Sequence, residues 1–289
     1  MTYQRPLLAT DLSAGAEAAA RLLPRLLAKD ARGLVLHVTP APDITPGSRP
    51  EALLAMEQVI GEARAQTEQT LRAWAEGRGL AGWEAHATYG LVGPTIASEA
   101  VARGADLIAV GSTGAGRIER ALLGSTARST LRHASVDTLV ARGEGDAIRH
   151  ILLATDFQEP SRLAARRAQR IAAHNGARVT ILHAISPDVF SGALYPAPPG
   201  GGRFDAAWLK TYVLGGLAVV NKESFGGRAD ELAIHDRPAH GLVAKARELH
   251  ADLVVVGSHG AGPLSRMLLG SIADGAAANA PCSVLVVRT

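Results

Sequence analysis

The sequence predicts an α/β fold built twice: two tandem domains, each a parallel sheet wrapped by helices. Three observations carry this reading. Short apolar runs rich in Val, Ile and Leu alternate with longer segments of helical character, the pattern of βαβ units whose strands are buried on both faces. The two halves of the chain resemble one another at a nearly constant offset. The length, 289 residues, suits two domains of ordinary size.

The repeat is the strongest of the three. LLATD occurs at Leu7–Asp11 and again at Leu152–Asp156, an offset of 145 that becomes 146 further along. His37 matches His183, each near the end of an apolar run. ADLIAVGSTGAG from Ala105 matches ADLVVVGSHGAG from Ala251, and TLVAR ending at Arg142 matches VLVVR ending at Arg288. A constant offset over half the chain means a duplicated domain, with one net insertion between Asp156 and His183. The small, polar stretch GEGD at 143–146 reads as the linker, giving domains 1–145 and 146–289.

Apolar runs place strands near 5–10, 33–39, 84–89, 106–111 and 137–142 in the first half. Helical periodicity falls near 14–28, 50–79, 94–103 and 118–133. The second half repeats the plan, with strands near 150–155, 178–184, 230–236, 252–257 and 283–288. Its middle is less regular. YPAPPGGGRF from Tyr195 is a loop by composition, and Gly215 and Gly216 weaken the helix that follows.

Composition excludes several classes of function. The chain is 47% hydrophobic and 20% charged, so it can bury a core, and with 4% aromatics that core must be mostly Ala, Leu and Val. The net charge of +3 is spread out. Its densest run, Arg162, Arg166, Arg167 and Arg170, reads as a solvated helix face, and nothing supplies the broad basic surface that nucleic acid requires. Cys282 is the lone cysteine and reads as a small buried hydrophobe in a strand. The N-terminus enters a strand pattern at once and lacks the apolar stretch of a signal peptide. No run reaches the roughly 18 apolar residues of a membrane span. A cytoplasmic chain with no membrane or nucleic-acid partner is expected.

The chemistry sits in two glycine-rich stretches, GSTGAGRIERALLGS from Gly111 and GSHGAGPLSRMLLGS from Gly257. Each directly follows the fourth strand of its half. In an open parallel sheet that position opens on the ligand crevice. Glycines there let backbone N–H groups approach an anion, and the Gly124-Ser125 and Gly270-Ser271 pairs precede helices whose N-termini favour phosphate. Serine is expected to cap those helices. Asp11 and Asp156 end the first strand of each half, where a carboxylate could face the same crevice or cap the next helix.

The spacing Gly, two residues, Gly, nine residues, Gly-Ser occurs at Gly111/Gly114/Gly124-Ser125 and at Gly257/Gly260/Gly270-Ser271. It resembles the nucleotide-binding motif of the universal stress protein family, and the resemblance covers nearly the whole chain as two tandem domains. It implies a Rossmann-like, adenine nucleotide alpha hydrolase-like fold with a five-stranded parallel sheet of order 3-2-1-4-5 in each half. It implies ATP or AMP as ligand, with adenosine held by Asp11 and the backbone of Val38 in one half and by Asp156 and Ala184 in the other. The glycines and Gly-Ser pairs would hold ribose and phosphates, and Mg could bridge the phosphates without protein ligands of its own. In that order the last strands, Thr138–Arg142 and Ser283–Arg288, are sheet edges. Their pairing would make an intramolecular pseudo-dimer, and a further homodimer stays open. The copies also differ: Thr113 becomes His259, Thr126 becomes Ile272, and Pro263 stands where the first half has Arg117.

Three function classes follow. The first is a nucleotide-binding stress-response module. The second is a slow ATPase or phosphotransferase. It is disfavoured because there is no Walker lysine, no acid pair at metal spacing and no base placed near Ser125 or Ser271. His37 and His183 read as structural, and no side-chain metal site is expected. The third is a nucleotide-free scaffold whose apolar segment Trp208–Val220 contacts a partner or a small apolar ligand.

Overall fold

The computed structural model describes residues 3–41, 50–114, 123–143, 145, 147–187, 206–258 and 269–288. The chain divides into two units, Tyr3–Glu144 and Gly145–Thr289. The first unit runs β1 (Pro6–Ala9), α1 (Ala14–Leu22), β2 (Leu34–Thr39), α2 (Pro50–Glu76), β3 (Glu84–Tyr89), α3 (Val92–Ala102), β4 (Leu107–Gly111), α4 (Ser125–His133) and β5 (Asp137–Ala141). The second runs β6 (His150–Ala154), α5 (Glu159–Asn175), β7 (Arg178–Ile185), α6 (Ala206–Phe225), β8 (Asp230–His235), α7 (Pro238–Glu248), β9 (Leu253–Gly257), α8 (Ser271–Asn279) and β10 (Ser283–Val287).

Every strand pairing within a unit is parallel. In the first, β1 lies between β2 and β4, β3 flanks β2 and β5 flanks β4. The order is therefore 3-2-1-4-5, and the second unit repeats it with β8, β7, β6, β9 and β10. Consecutive residues of β1, β5 and β10 are all buried. Successive strand side chains point to opposite faces, so both faces of these strands are covered. The core is aliphatic: Leu7, Leu8, Leu36, Leu107, Ile108 and Leu139 have essentially no exposed surface.

The helices depart from expectation at their ends, for local reasons. The helix expected over 14–28 stops at Leu22 and continues as a 3-10 turn, Leu23–Leu26, that contains Pro24. Proline has no N–H to give and its ring crowds the preceding turn. Its counterpart α5 has no interior proline and runs 17 residues to a left-handed Gly176. The helix expected over 118–133 begins only at Ser125, because Gly124 is extended; residues 118–122 lie outside those described. The helix expected over 50–79 ends at Glu76.

The glycine pair does not break α6. Leu209, Val213, Leu217 and Val220 are buried along one stripe of it, so the Trp208–Val220 segment is first a core-facing helix, with Leu214 and Val219 exposed. Gly216 has a packing reason, since a Cβ there would lie 2.8 Å from the Phe157 ring. Cys282 is only half-buried and precedes β10, so it is not the buried strand residue the sequence suggests. In α5, Arg166 and Arg170 are exposed, and Arg166 pairs with Glu159 at 2.6 Å. No helix among the described residues is long and apolar enough to cross a membrane.

Candidate functional site

The neighbours β1 and β4 lead into connections that leave in opposite directions, to β2 and to β5. A crevice must open beyond their carboxyl ends. A cavity of about 290 Å³ occupies it, lined by Asp11, Val38, Gly111, Gly114, Gly124 and Ser125 among others. All six residues singled out in the first half therefore meet at one place. In the second unit, Asp156, Ala184, Gly257, Gly270 and Ser271 line an equivalent cavity of about 320 Å³. Gly260 lies outside the described residues, as do His259 and Pro263.

A repeated set of backbone hydrogen bonds builds both sites. Ser112 N–H donates to the Ala141 carbonyl at 2.9 Å, and Gly124 N–H to the Ser112 carbonyl at 2.7 Å. Ser258 donates to Val287 at 2.8 Å and Gly270 to Ser258 at 2.7 Å. The helix start is thus tied to the end of the fourth strand. The cap residues are the glycines, Gly124 and Gly270, and not the serines. Ser125 and Ser271 are the first helical residues, so the expected serine caps are corrected. The first intrahelical bond of α4 is Arg128 N–H to the Gly124 carbonyl. The N–H groups of Ser125, Thr126 and Ala127 consequently have no partner within the helix, and all three residues line the cavity. Three such donors at the positive end of a helix dipole can receive an anion.

The carboxylates line the same cavities as these donors. β1 and β6 end at Ala9 and Ala154, so Asp11 and Asp156 stand two residues past the strands rather than at their ends. Neither caps a helix, since those caps are Ser13 and Gln158. Each closes a turn instead: Asp11 Oδ1 accepts from Ser13 N–H at 3.1 Å, and Asp156 Oδ1 from Gln158 N–H at 3.0 Å. Thr10 and Thr155 accept from the N–H groups of Leu12 and Phe157, which take φ of 61° and 66°. Holding two non-glycine residues in the left-handed region has a conformational cost, so this turn is an imposed shape. Thr10 and Thr155 also line the cavities. They stand in the LLATD repeat, which is the signal that could have found them.

The glycines divide by role. A Cβ at Gly114 would sit 2.7 Å from Asp11 Oδ2, so this glycine holds open the space beside the carboxylate. Gly111 is different. A Cβ there would overlap the backbone of Gly15 and lie 2.8 Å from Ala16 N. A Cβ at Gly257 would lie 3.0 Å from the Pro160 carbonyl carbon. These strand-end glycines let α1 and α5, the first helix of each unit, pack close, a reason the sequence reading did not give.

His37 and His183 are structural ties: each Nδ1 lies 2.8 Å from the carbonyl oxygen of Thr10 or Thr155. Burial depresses the pKa of His183, against the opposing effect of that hydrogen bond. His183 and Tyr212 also line the second cavity. The sequence pointed to Tyr212 only as part of the apolar segment Trp208–Val220, since α6 meets the site through tertiary packing. Among the described residues no cluster of three or more His, Cys, Asp or Glu could hold a metal.

Comparison with known proteins agrees with this architecture. The model of the universal stress protein family matches residues 2–142 and 147–288. A universal stress protein of Mycolicibacterium smegmatis is 31% identical over 98% of this chain and 96% of its own length. One from Thermus aquaticus, named for its place in the 3' region of the QAH/OAS sulfhydrylase, is 32% identical over 48% of this chain and 97% of its own. The crystal structure of a universal stress protein from Archaeoglobus fulgidus covers 98% of the chain and 96% of its own, with a TM-score of 0.66 at 21% identity, and supports the fold.

Proposed function

Since the chain belongs to the universal stress protein family, we propose that it is a nucleotide-dependent regulatory module that binds ATP or AMP at its glycine-loop sites. One observation carries the reading. Three backbone donors at the start of α4 share a 290 Å³ cavity with the Asp11 carboxylate. The donors suit phosphate, and the carboxylate suits the hydroxyl and amino groups of a ribose or base. In the first site Asp11 and the Val38 backbone take the adenosine, and Gly111, Gly114, Gly124 and Ser125 take ribose and phosphate. Asp156, Ala184, Gly257, Gly260, Gly270 and Ser271 are their counterparts. A Mg ion bridging the phosphates would neutralise charge that the backbone donors leave uncompensated. The module works in the cytoplasm and signals by occupancy rather than turnover.

The test is mass spectrometry of nucleotide released from denatured, freshly purified protein, followed by calorimetric titration with ATP and AMP. Copurified adenine nucleotide, or titration with a micromolar Kd, is the expected result. A chain that carries no nucleotide and shows no heat with either ligand would overturn the proposal.

A further inference from the structure

The two cavities share a frame but not a chemistry. Among the described residues, no aromatic one lines the first. Beside the second stands a run of four rings. Phe157 stacks on His183 with centroids 4.5 Å apart and planes at 14°. Tyr212 meets Phe157 edge-on at 6.0 Å and stacks on Trp208 at 5.2 Å and 19°. In a chain with 4% aromatics this concentration is local. It is also built: Phe157 occupies the left-handed turn position that Leu12 fills in the first unit, and its ring uses the space left by the missing Cβ of Gly216.

The phosphate end changes in the opposite sense. At the offset of 146, Thr126 of the first helix turn becomes Ile272 and Arg128 becomes Asp274. Ile272 lines the cavity, so a hydroxyl donor is replaced by an aliphatic side chain. Asp274 lies in the first turn of α8. A carboxylate there offsets the positive helix end and repels a second anion, whereas the first unit carries a cation at that place. Aromatic surface is gained where a hydroxyl and a cation are lost from the helix start.

We infer that the second cavity selects a planar aromatic compound with little or no phosphate, while the first takes the phosphorylated nucleotide. This rests on reading the cavities as nucleotide-type sites. Tyr212 and His183 line the cavity, each stacked on a further ring, Trp208 or Phe157, and supply the quadrupolar surroundings that flat rings prefer. Asp156 and the N–H groups of Ser271 to Ala273 remain to orient polar edges of the ring or a ribose.

The experiment uses adenosine and ATP as probes on the full chain and on Gly114→Val, in which the first cavity is blocked. In Gly114→Val, adenosine is expected to bind at least tenfold tighter than ATP and to change the emission assigned to Trp208 by its loss in Trp208→Phe. Tyr212→Leu in the same background should abolish that signal. Asp274→Asn should raise ATP affinity there about threefold, the size of one charge at a helix end. Equal affinities for ATP and adenosine in Gly114→Val, or no adenosine binding at all, would overturn the inference. If instead the wild type fails to bind ATP at its first cavity, the nucleotide proposal falls there. The order of affinities in Gly114→Val still decides the second.

Discussion

Two glycines three residues apart should fail in opposite ways. Gly111 and Gly114 share one loop, and neither has a positive φ, so substituting either adds no backbone strain. What differs is the neighbour that a side chain meets. At Gly111 a Cβ would stand 2.5 Å from the Gly15 carbonyl oxygen and 2.8 Å from Ala16 N, and both atoms belong to the first turn of α1. Relief requires moving a helix that packs on β4 and β5. Overpacking of that kind costs about 1–3 kcal/mol, and for a unit of this size that lowers the melting temperature by roughly 4–12 °C. At Gly114 the nearest atom is Asp11 Oδ2, 2.7 Å away, the mobile end of a side chain. Gly114→Val should therefore melt as wild type does. It should nevertheless displace the carboxylate and fill the space beside it. Loss of one or two charge-assisted hydrogen bonds, at about 1.5–3 kcal/mol each, raises the Kd for ATP by about tenfold to more than a thousandfold. Thermal melts followed by circular dichroism, with ATP calorimetry on each variant, read both effects. A Gly111→Ala protein that melts unchanged would refute the packing argument. A Gly114→Val protein that binds ATP like wild type would refute the assignment of the loop.

The same contrast is expected in α6. Gly215→Ala has open space around it and should stabilise the second unit by about 0.8–1 kcal/mol through helix propensity. Gly216→Ala should lose that gain against the Phe157 ring and recover it in the Phe157→Leu background, read as a double-mutant cycle in urea. Glu17 receives Nε of Arg78 at 2.7 Å and Nε1 of Trp74 at 3.0 Å. Its pKa is lowered chiefly by the Arg78 hydrogen bond, against the opposing cost of burial. Stability from this cluster is complete above the ordinary glutamate value of 4.5 and is lost as pH falls through the depressed folded value. Glu17→Gln should flatten the acid limb of a stability-against-pH curve. Burial holds His150 and His183 below the ordinary 6.5. The unfolded chain therefore takes up protons first, stability falls as pH drops below that value, and His150→Gln should weaken this dependence.

The central strands were legible because they are short, aliphatic and buried on both faces, which leaves continuous Val, Ile and Leu runs such as LVVV in β9. The duplication then checked each element against its copy. Helix ends were less legible. Pro24 could have been read as a stop for α1, but the start of α4 depended on a hydrogen bond from Gly124 to Ser112, a contact no periodicity reveals. In the candidate site, the glycine spacing and the Asp of LLATD pointed to residues that do line one cavity. The reason for Gly111 and Gly257 was missed, because helix packing and phosphate approach both call for a residue without a Cβ. Tyr212 carried no signal of its own, since Phe157, whose ring meets it edge-on, lies far away in sequence, in the turn before α5.

The 2.7 Å bond from Gly124 to the Ser112 carbonyl, and its twin from Gly270 to Ser258, make each intervening stretch a detour that returns to its starting point. Whatever chain lies between these anchors, the strand end behind it and the helix start ahead of it keep their positions. Lengthening a detour whose ends are already joined adds only the slowly growing entropy of a longer closed loop, about 0.6 kcal/mol per doubling. The backbone donors of α4 and α8 are thereby held from the residue that follows β4 and β9.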